Sequence, residues 1–400
     1  MTLQRLRRGL LAAALLATVA ACSGDDGADA GAAYDPTTTA GTTTVPADGA
    51  GDPVVWPGDD WERVDAASLG FDPEAMEAIA TDAEALDSEC LVVTRRGRIV
   101  GEWYWDEVEP TTTREVFSVT KSITSTLVGI AQDEGHLSID DPASDYIDEW
   151  QGTESEAVTV RNLLSNDSGR EWNLALDYLQ LIREEDRDAF AIGLGQQYPP
   201  GESWAYNNSA IQTLDRVLTT ATGEVSLDFA AERLFGPIGM DHSEMTTDVS
   251  GGSTNMFMGL SSTCEDLARF GYLFLRDGAW DGEQVVSAEW VEEATGAPSQ
   301  ELNAAYGFLW WLNVEGRLAD PIQAVEPSAD PETIVEGQLV PGAPEDMFSA
   351  QGLGGQVVLV DPGSETVVVR IGKGGIGPST EGGYRVNEAA RMVTEALTDP

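Results

Sequence analysis

The chain has 400 residues and 42% apolar content, enough to bury one large core or two smaller ones, so wholesale disorder is excluded. Its 69 acidic residues outnumber 22 basic ones, for a formal net charge of -47. A surface of that sign repels phosphate backbones, which excludes nucleic acid as a partner, and acidity of this degree reports solvation habit rather than chemistry.

In chain order, Arg5, Arg7 and Arg8 precede the apolar run Leu10 to Ala17, which is too short to span a bilayer. Residues 1–21 therefore read as an export signal. It ends in Val19-Ala20-Ala21-Cys22, which resembles the bacterial lipobox, so the expectation is a lipidated Cys22 that tethers the protein to the outer face of the bacterial cell membrane. A plain secretory cleavage site is the alternative. Residues 22–58 are mostly Gly, Ala, Asp, Thr and Pro and predict a flexible linker, with the folded domain at 59–400.

Within that domain the pattern predicts a helix from Asp72 to Leu86, then Leu91 to Val93 and Ile99-Val100 as a hairpin around Arg96-Gly97. A long, mostly helical middle follows, broken at Pro199-Pro200-Gly201, Gly236-Pro237 and Gly251-Gly252. Strands are predicted again at Tyr306 to Leu312, Gln356 to Val360 and Thr366 to Ile371, with a last helix from Tyr384 to Leu397. The expected fold class is α/β of the α+β type: an antiparallel sheet assembled from both ends of the domain, flanked by terminal helices, with an inserted helical subdomain. Apart from Cys22 the chain has Cys90 and Cys264. In an oxidising compartment these form either one disulfide or two buried thiols, and both readings stay open.

The sharpest chemical signal is lysine usage: of 22 basic residues only Lys121 and Lys373 are lysine. Arginine cannot shed its proton, whereas a desolvated ammonium can, so lysine is the cation that can work as a base. Lys121 lies three residues after Ser118, on the same face of an expected helix. The bland alternative for Ser118 is a helix cap. Tyr206-Asn207-Asn208 adds a phenol able to pass a proton and an amide, Asn208, able to orient a substrate carbonyl.

Ser118-Val119-Thr120-Lys121 fits the S-x-x-K motif of penicillin-binding proteins and serine β-lactamases, and Tyr206-Asn207-Asn208 fits their Y-x-N. From Phe71 to the C-terminus the chain resembles the β-lactamase-related serine hydrolases, which include class C β-lactamases, D-aminopeptidases, esterases and nylon-oligomer hydrolases. The family's third motif, usually Lys-Thr-Gly or His-x-Gly, corresponds best to Ala350-Gln351-Gly352, and Leu353-Gly354-Gly355-Gln356 follows. That form is most similar to the nylon-oligomer hydrolase and esterase branch.

The resemblance implies Ser118 as nucleophile, Lys121 and Tyr206 as the proton-transfer pair, Asn208, Gly352 and Leu353 against the substrate, and backbone amides of Ser118 and Leu353 as the oxyanion hole. Ala350 has no cation to offer a substrate carboxylate, which argues against strong β-lactamase activity. The expected reaction is cleavage of a small-molecule or peptide-like ester or amide through an acyl-enzyme, without cofactor or metal. His136 and His242 are the only histidines, and no G-x-S-x-G or H-E-x-x-H occurs. Asp167-Ser168-Gly169 reads as a turn near the cleft, and Trp172, Tyr178 and Trp310-Trp311 as shaping the pocket. Two alternatives remain: a penicillin-recognising cell-wall peptidase or β-lactamase, and a non-catalytic binding lipoprotein on the same fold.

Overall fold

The computed structural model describes residues 54–327, 335–373 and 384–398. The expected export signal, Cys22 and most of the expected linker lie outside the described residues. The chain already packs on the fold ahead of residue 59: Trp56 sits against Tyr272 and Trp280, and the Val55 carbonyl accepts the Tyr272 hydroxyl at 2.9 Å.

Helix α1, Pro73–Ala85, starts where Pro73 fits the first turn and Asp72 caps it, accepting the Glu74 amide at 2.9 Å. Its face of Met76, Ile79, Ala80 and Ala83 is buried. Strands β1, Ser88–Arg95, and β2, Arg98–Tyr104, form the expected hairpin. Arg96 and Gly97 both take positive φ there, 51° and 77°, the conformation that a two-residue turn between twisted strands requires.

The chain returns to this sheet some two hundred residues later, with β3, Trp311–Leu312, β4, Phe348–Gly352, β5, Gln356–Asp361, and β6, Thr366–Gly372. The six strands lie in the order β2-β1-β6-β5-β4-β3, every pairing antiparallel. Helix α2, Val119–Asp133, and helix α3, Cys264–Leu275, pack on one face. The closing helix α4, Val386–Arg391, widens into a looser turn at Met392–Ala396 and joins α1 on the other.

Covering both faces explains why the inner strands read as continuous apolar runs. Cys90 and Val92 of β1 enter the core shared with α2 and α3, while Leu91 and Val93 enter the core shared with α1 and α4. Cys90 and Cys264, 174 residues apart, are joined as a disulfide with their Cα atoms 6.4 Å apart, tying β1 to the first residue of α3.

Two sequence readings are corrected by the structure, the strand at Tyr306 to Leu312 and the place of Trp310. The expected strand from Tyr306 to Leu312 is ladder only at Trp311–Leu312, because the chain reverses on itself: the Gly307 amide donates to the Trp310 carbonyl at 3.0 Å and Leu309 takes φ 60°. Trp310 is thereby turned away from the pocket it was expected to shape and is fully buried among Phe270, Phe274 and Phe348. The helix after Tyr206 comes in two pieces, Asn208–Gln212 and Leu214–Thr222, with a break at Thr213.

Candidate active site

Ser118 stands at the N-terminal boundary of α2, immediately after Phe117, whose φ of 49° is unfavourable for a bulky residue. The Ser118 hydroxyl makes no capping bond to the helix; it accepts the Lys121 amine, with Nζ at 2.7 Å from Oγ. Helical spacing produces this contact, since Lys121 sits one turn on.

The surroundings of Lys121 decide its chemistry. The residue is 1% exposed, donates also to the Phe257 carbonyl at 2.9 Å, and lies 4.7 Å from the centre of the Tyr206 ring. Burial lowers the amine from 10.5 to about 7, against an opposing pull from Asp177. A substantial fraction is therefore neutral near pH 7. Lys373, the other lysine, is an exposed partner of Asp106 at 2.6 Å.

Tyr206 is buried beside them. Trp311 stacks on it at 5.6 Å between ring centres, Tyr306 meets it edge-on at 6.0 Å, and Trp172 Nε1 donates to its backbone carbonyl at 3.2 Å. Burial raises the phenol well above its usual value, with the Ser118 hydroxyl acting the other way. Asn208 is buried and engages the Tyr178 hydroxyl, while its Oδ1 has no partner.

Gly352 ends β4 on the side of the sheet that carries Ala350 and Phe348, the side facing α2. A Cβ at Gly352 would sit 2.2 Å from the Val116 carbonyl, so only glycine lets the two backbones approach this closely. Leu353 follows in the turn, 46% exposed. Ala350 is buried and carries no charge.

Both histidines lie elsewhere, whereas the Asp167 turn adjoins the Tyr206 segment, with Asn166 accepting the Ala205 amide at 3.0 Å. His136 pairs with Glu134 at 3.2 Å on the surface, and His242 is exposed, 3.9 Å from Asp266. Asp167-Ser168-Gly169 forms a buried turn in which Asn162 Nδ2 donates to Asp167, and Gly169 takes φ 67°. Among the described residues no cluster of acidic, histidine or cysteine side chains could hold a metal ion.

Sequence reasoning missed two groups: the Phe257 carbonyl, a backbone atom without any sequence signature, and Asp177, whose oxygens hold the segment after Tyr206. Asp177 did leave a trace, as the single charge in the run Leu174 to Leu181. An acid in such a run is either turned to solvent or held by buried donors.

An antiparallel sheet covered on one face by the two terminal helices and on the other by α2 and α3, with a helical region inserted, is the fold of the β-lactamase and penicillin-binding-protein class. Residues 77–389 match the family model described as Beta-lactamase, and the chain belongs to that family of hydrolytic serine enzymes. It is 25% identical over 335 residues to the 6-aminohexanoate-dimer hydrolase of Paenarthrobacter ureafaciens, covering 77% of this chain and 80% of that protein. It is 27% identical over 173 residues to a D-aminopeptidase of Cereibacter sphaeroides, covering 39% of this chain and 32% of that protein. A crystal structure of a class C beta-lactamase in complex with cefoxitin superposes with a TM-score of 0.59 at 16% identity, covering 83% of this chain and 99% of that one, which shows the shared fold.

Proposed function

We propose that the chain hydrolyses an ester or a linear amide through an acyl-enzyme on Ser118. The observation that carries this is the buried Lys121 amine, at about 7 rather than 10.5, within 2.7 Å of the Ser118 oxygen. A hydroxyl is inert until a base takes its proton, and an amine neutral near pH 7 is such a base.

Ser118 Oγ attacks the substrate carbonyl as its proton passes to Lys121. The resulting oxyanion is met by the backbone N–H groups of Ser118 and Leu353. Tyr206 relays the proton to the departing alcohol or amine as the C–O or C–N bond breaks, and water activated by the same pair then releases the acid and restores Ser118. Ala350 offers no counter-charge to a carboxylate, so the reading favours uncharged acyl groups over β-lactams. The similarity to the 6-aminohexanoate-dimer hydrolase is consistent with a linear amide.

The reading also places the protein on the outer face of the bacterial membrane, tethered by lipid on Cys22; the residues preceding Cys22 support it, and a disulfide suits that compartment. Membrane fractionation of Cys22→Ala checks the anchor, which predicts release of the variant into the soluble fraction.

A fluorophosphonate probe and a fluorescent penicillin, applied to the wild type and to Ser118→Ala, test the chemistry. Fluorophosphonate capture by the wild type alone is expected. Capture by neither protein would favour a binding lipoprotein, and strong penicillin capture by the wild type a cell-wall peptidase or β-lactamase.

A further inference from the structure

Asp177 belongs to none of the sequence motifs, yet its side chain is fully buried beside the site. It lies in a wide helical turn, Leu176–Gln180, and its oxygens accept three hydrogen bonds, all from the two residues that follow Tyr206-Asn207. Oδ2 accepts the Asn208 amide at 3.0 Å, and Oδ1 accepts the Ser209 amide at 2.8 Å and the Ser209 hydroxyl at 2.9 Å. Three donors and no acceptor are the surroundings of an ionised carboxylate.

Asp177 takes the two free amides at the start of the next helix, and it adds to that end-capping a buried charge in the field of Lys121. The short helix Asn208–Gln212 is already capped by Asn207, whose side chain accepts the Ala210 amide at 2.8 Å. Asp177 forms no salt bridge among the described residues, and the charged group whose field it shares is Lys121. The other titratable groups around the pair are the phenols of Tyr178, Tyr206 and Tyr306, with Asp320 beyond Tyr178. All three phenols are raised by burial and stay neutral near pH 7; burial raises Asp177 as well, and its three donors and Lys121 act the other way, in favour of the ionised carboxylate.

We propose that Asp177 is a positioning residue for the Ser118 reaction: its oxygens hold Asn208 and Ser209, and with them the segment that carries Tyr206 beside the Ser118–Lys121 pair, and its charge is the counter-ion Lys121 meets when it takes up the proton. The inference rests on the hydrolase reading. As Ser118 is deprotonated, positive charge develops on a desolvated amine, and an anion already fixed nearby requires no reorganisation at that moment. Asp177 thus sets how basic Lys121 is. Without it the amine holds its proton less well and titrates at lower pH.

The chain's two lysines make this directly readable. Protein isotope-labelled at the lysine Cε gives two signals by NMR, one from exposed Lys373, which serves as the reference, and one from Lys121. Asp177→Asn is expected to shift the Lys121 titration, and the acidic limb of kcat/KM with it, to lower pH, and to lower kcat on the order of tenfold. Ser209→Ala keeps the charge and removes one donor; it is expected to lower kcat several-fold with the Lys121 titration unmoved.

An unmoved Lys121 titration in Asp177→Asn, or an equal shift in both variants, would overturn the counter-ion role. Should Asp177→Asn not fold, Asp177→Glu keeps the charge but displaces both oxygens: kcat must fall while Lys121 titrates near its wild-type pH, and an unchanged kcat overturns the proposal. The titration is read without turnover, whereas Ser118→Ala tests the nucleophile. A wrong nucleophile and a wrong role for Asp177 therefore give different results.

Discussion

Replacing Lys121 by methionine should abolish turnover and at the same time make the protein more stable, by an amount that depends on pH. The drop of the amine from 10.5 to about 7 on burial corresponds to about 5 kcal/mol disfavouring the folded state at low pH. Methionine has nearly the same shape and carries no such penalty. It does leave the Phe257 carbonyl without its donor, which gives back about 1–3 kcal/mol, so the net gain is about 3 kcal/mol.

Between about 7 and 10.5 the unfolded chain holds a proton on Lys121 that the folded chain does not, so wild-type stability rises with pH through that window. The advantage of Lys121→Met is accordingly full below about pH 7, shrinks as pH rises, vanishes near pH 9 and reverses to a deficit of about 1–3 kcal/mol above about 10.5, where only the lost Phe257 hydrogen bond remains. Denaturant titrations of both proteins across this range measure it. Loss of the base should lower kcat/KM by roughly a hundred- to ten-thousand-fold. Identical pH dependence of stability in the two proteins would refute the premise that Lys121 is carried as a largely neutral amine.

Three further outcomes are expected. Cys90→Ala with Cys264→Ala frees a loop of 174 residues, and the loop-length relation puts the loss at about 5 kcal/mol, seen as a lower denaturation midpoint that reductant reproduces in the wild type. Phe117→Gly relieves the positive φ before Ser118 and, on the proposed chemistry, should lower kcat more than it raises KM, with the fold retained by circular dichroism; a change in KM alone would contradict a role for that bend in placing Ser118. Asp188, raised to about 8 by burial and by neighbouring Asp215, is protonated in the folded state where the unfolded chain is ionised. It therefore lowers stability as pH rises from about 4 to 8, and Asp188→Asn should flatten that part of the stability profile.

Reading from the sequence worked where chemistry and spacing act locally. Ser118 and Lys121 are one helical turn apart, so α-helix geometry alone brings amine to hydroxyl, and the hairpin at Arg96-Gly97 follows from a turn that tolerates positive φ. The β-branched runs in β1, β5 and β6 read correctly as strands, while only the structure showed their sheet covered on both faces. Alternation failed at Tyr306 to Leu312, where aromatic residues satisfy a strand pattern equally well while reversing in a tight loop, and it could not tell core Trp310 from Trp311 beside Tyr206.

By itself, then, the sequence determined the family, the order of the elements, and a serine–lysine pair on one helix, because each depends on residue types at short, fixed separations. Tertiary structure alone decided that Lys121 is dry enough to lose its proton, that Phe257 and Asp177 surround it, and that Cys90 meets Cys264. Desolvation and long-range hydrogen bonding depend on which distant segments pack together, and no local spacing encodes that.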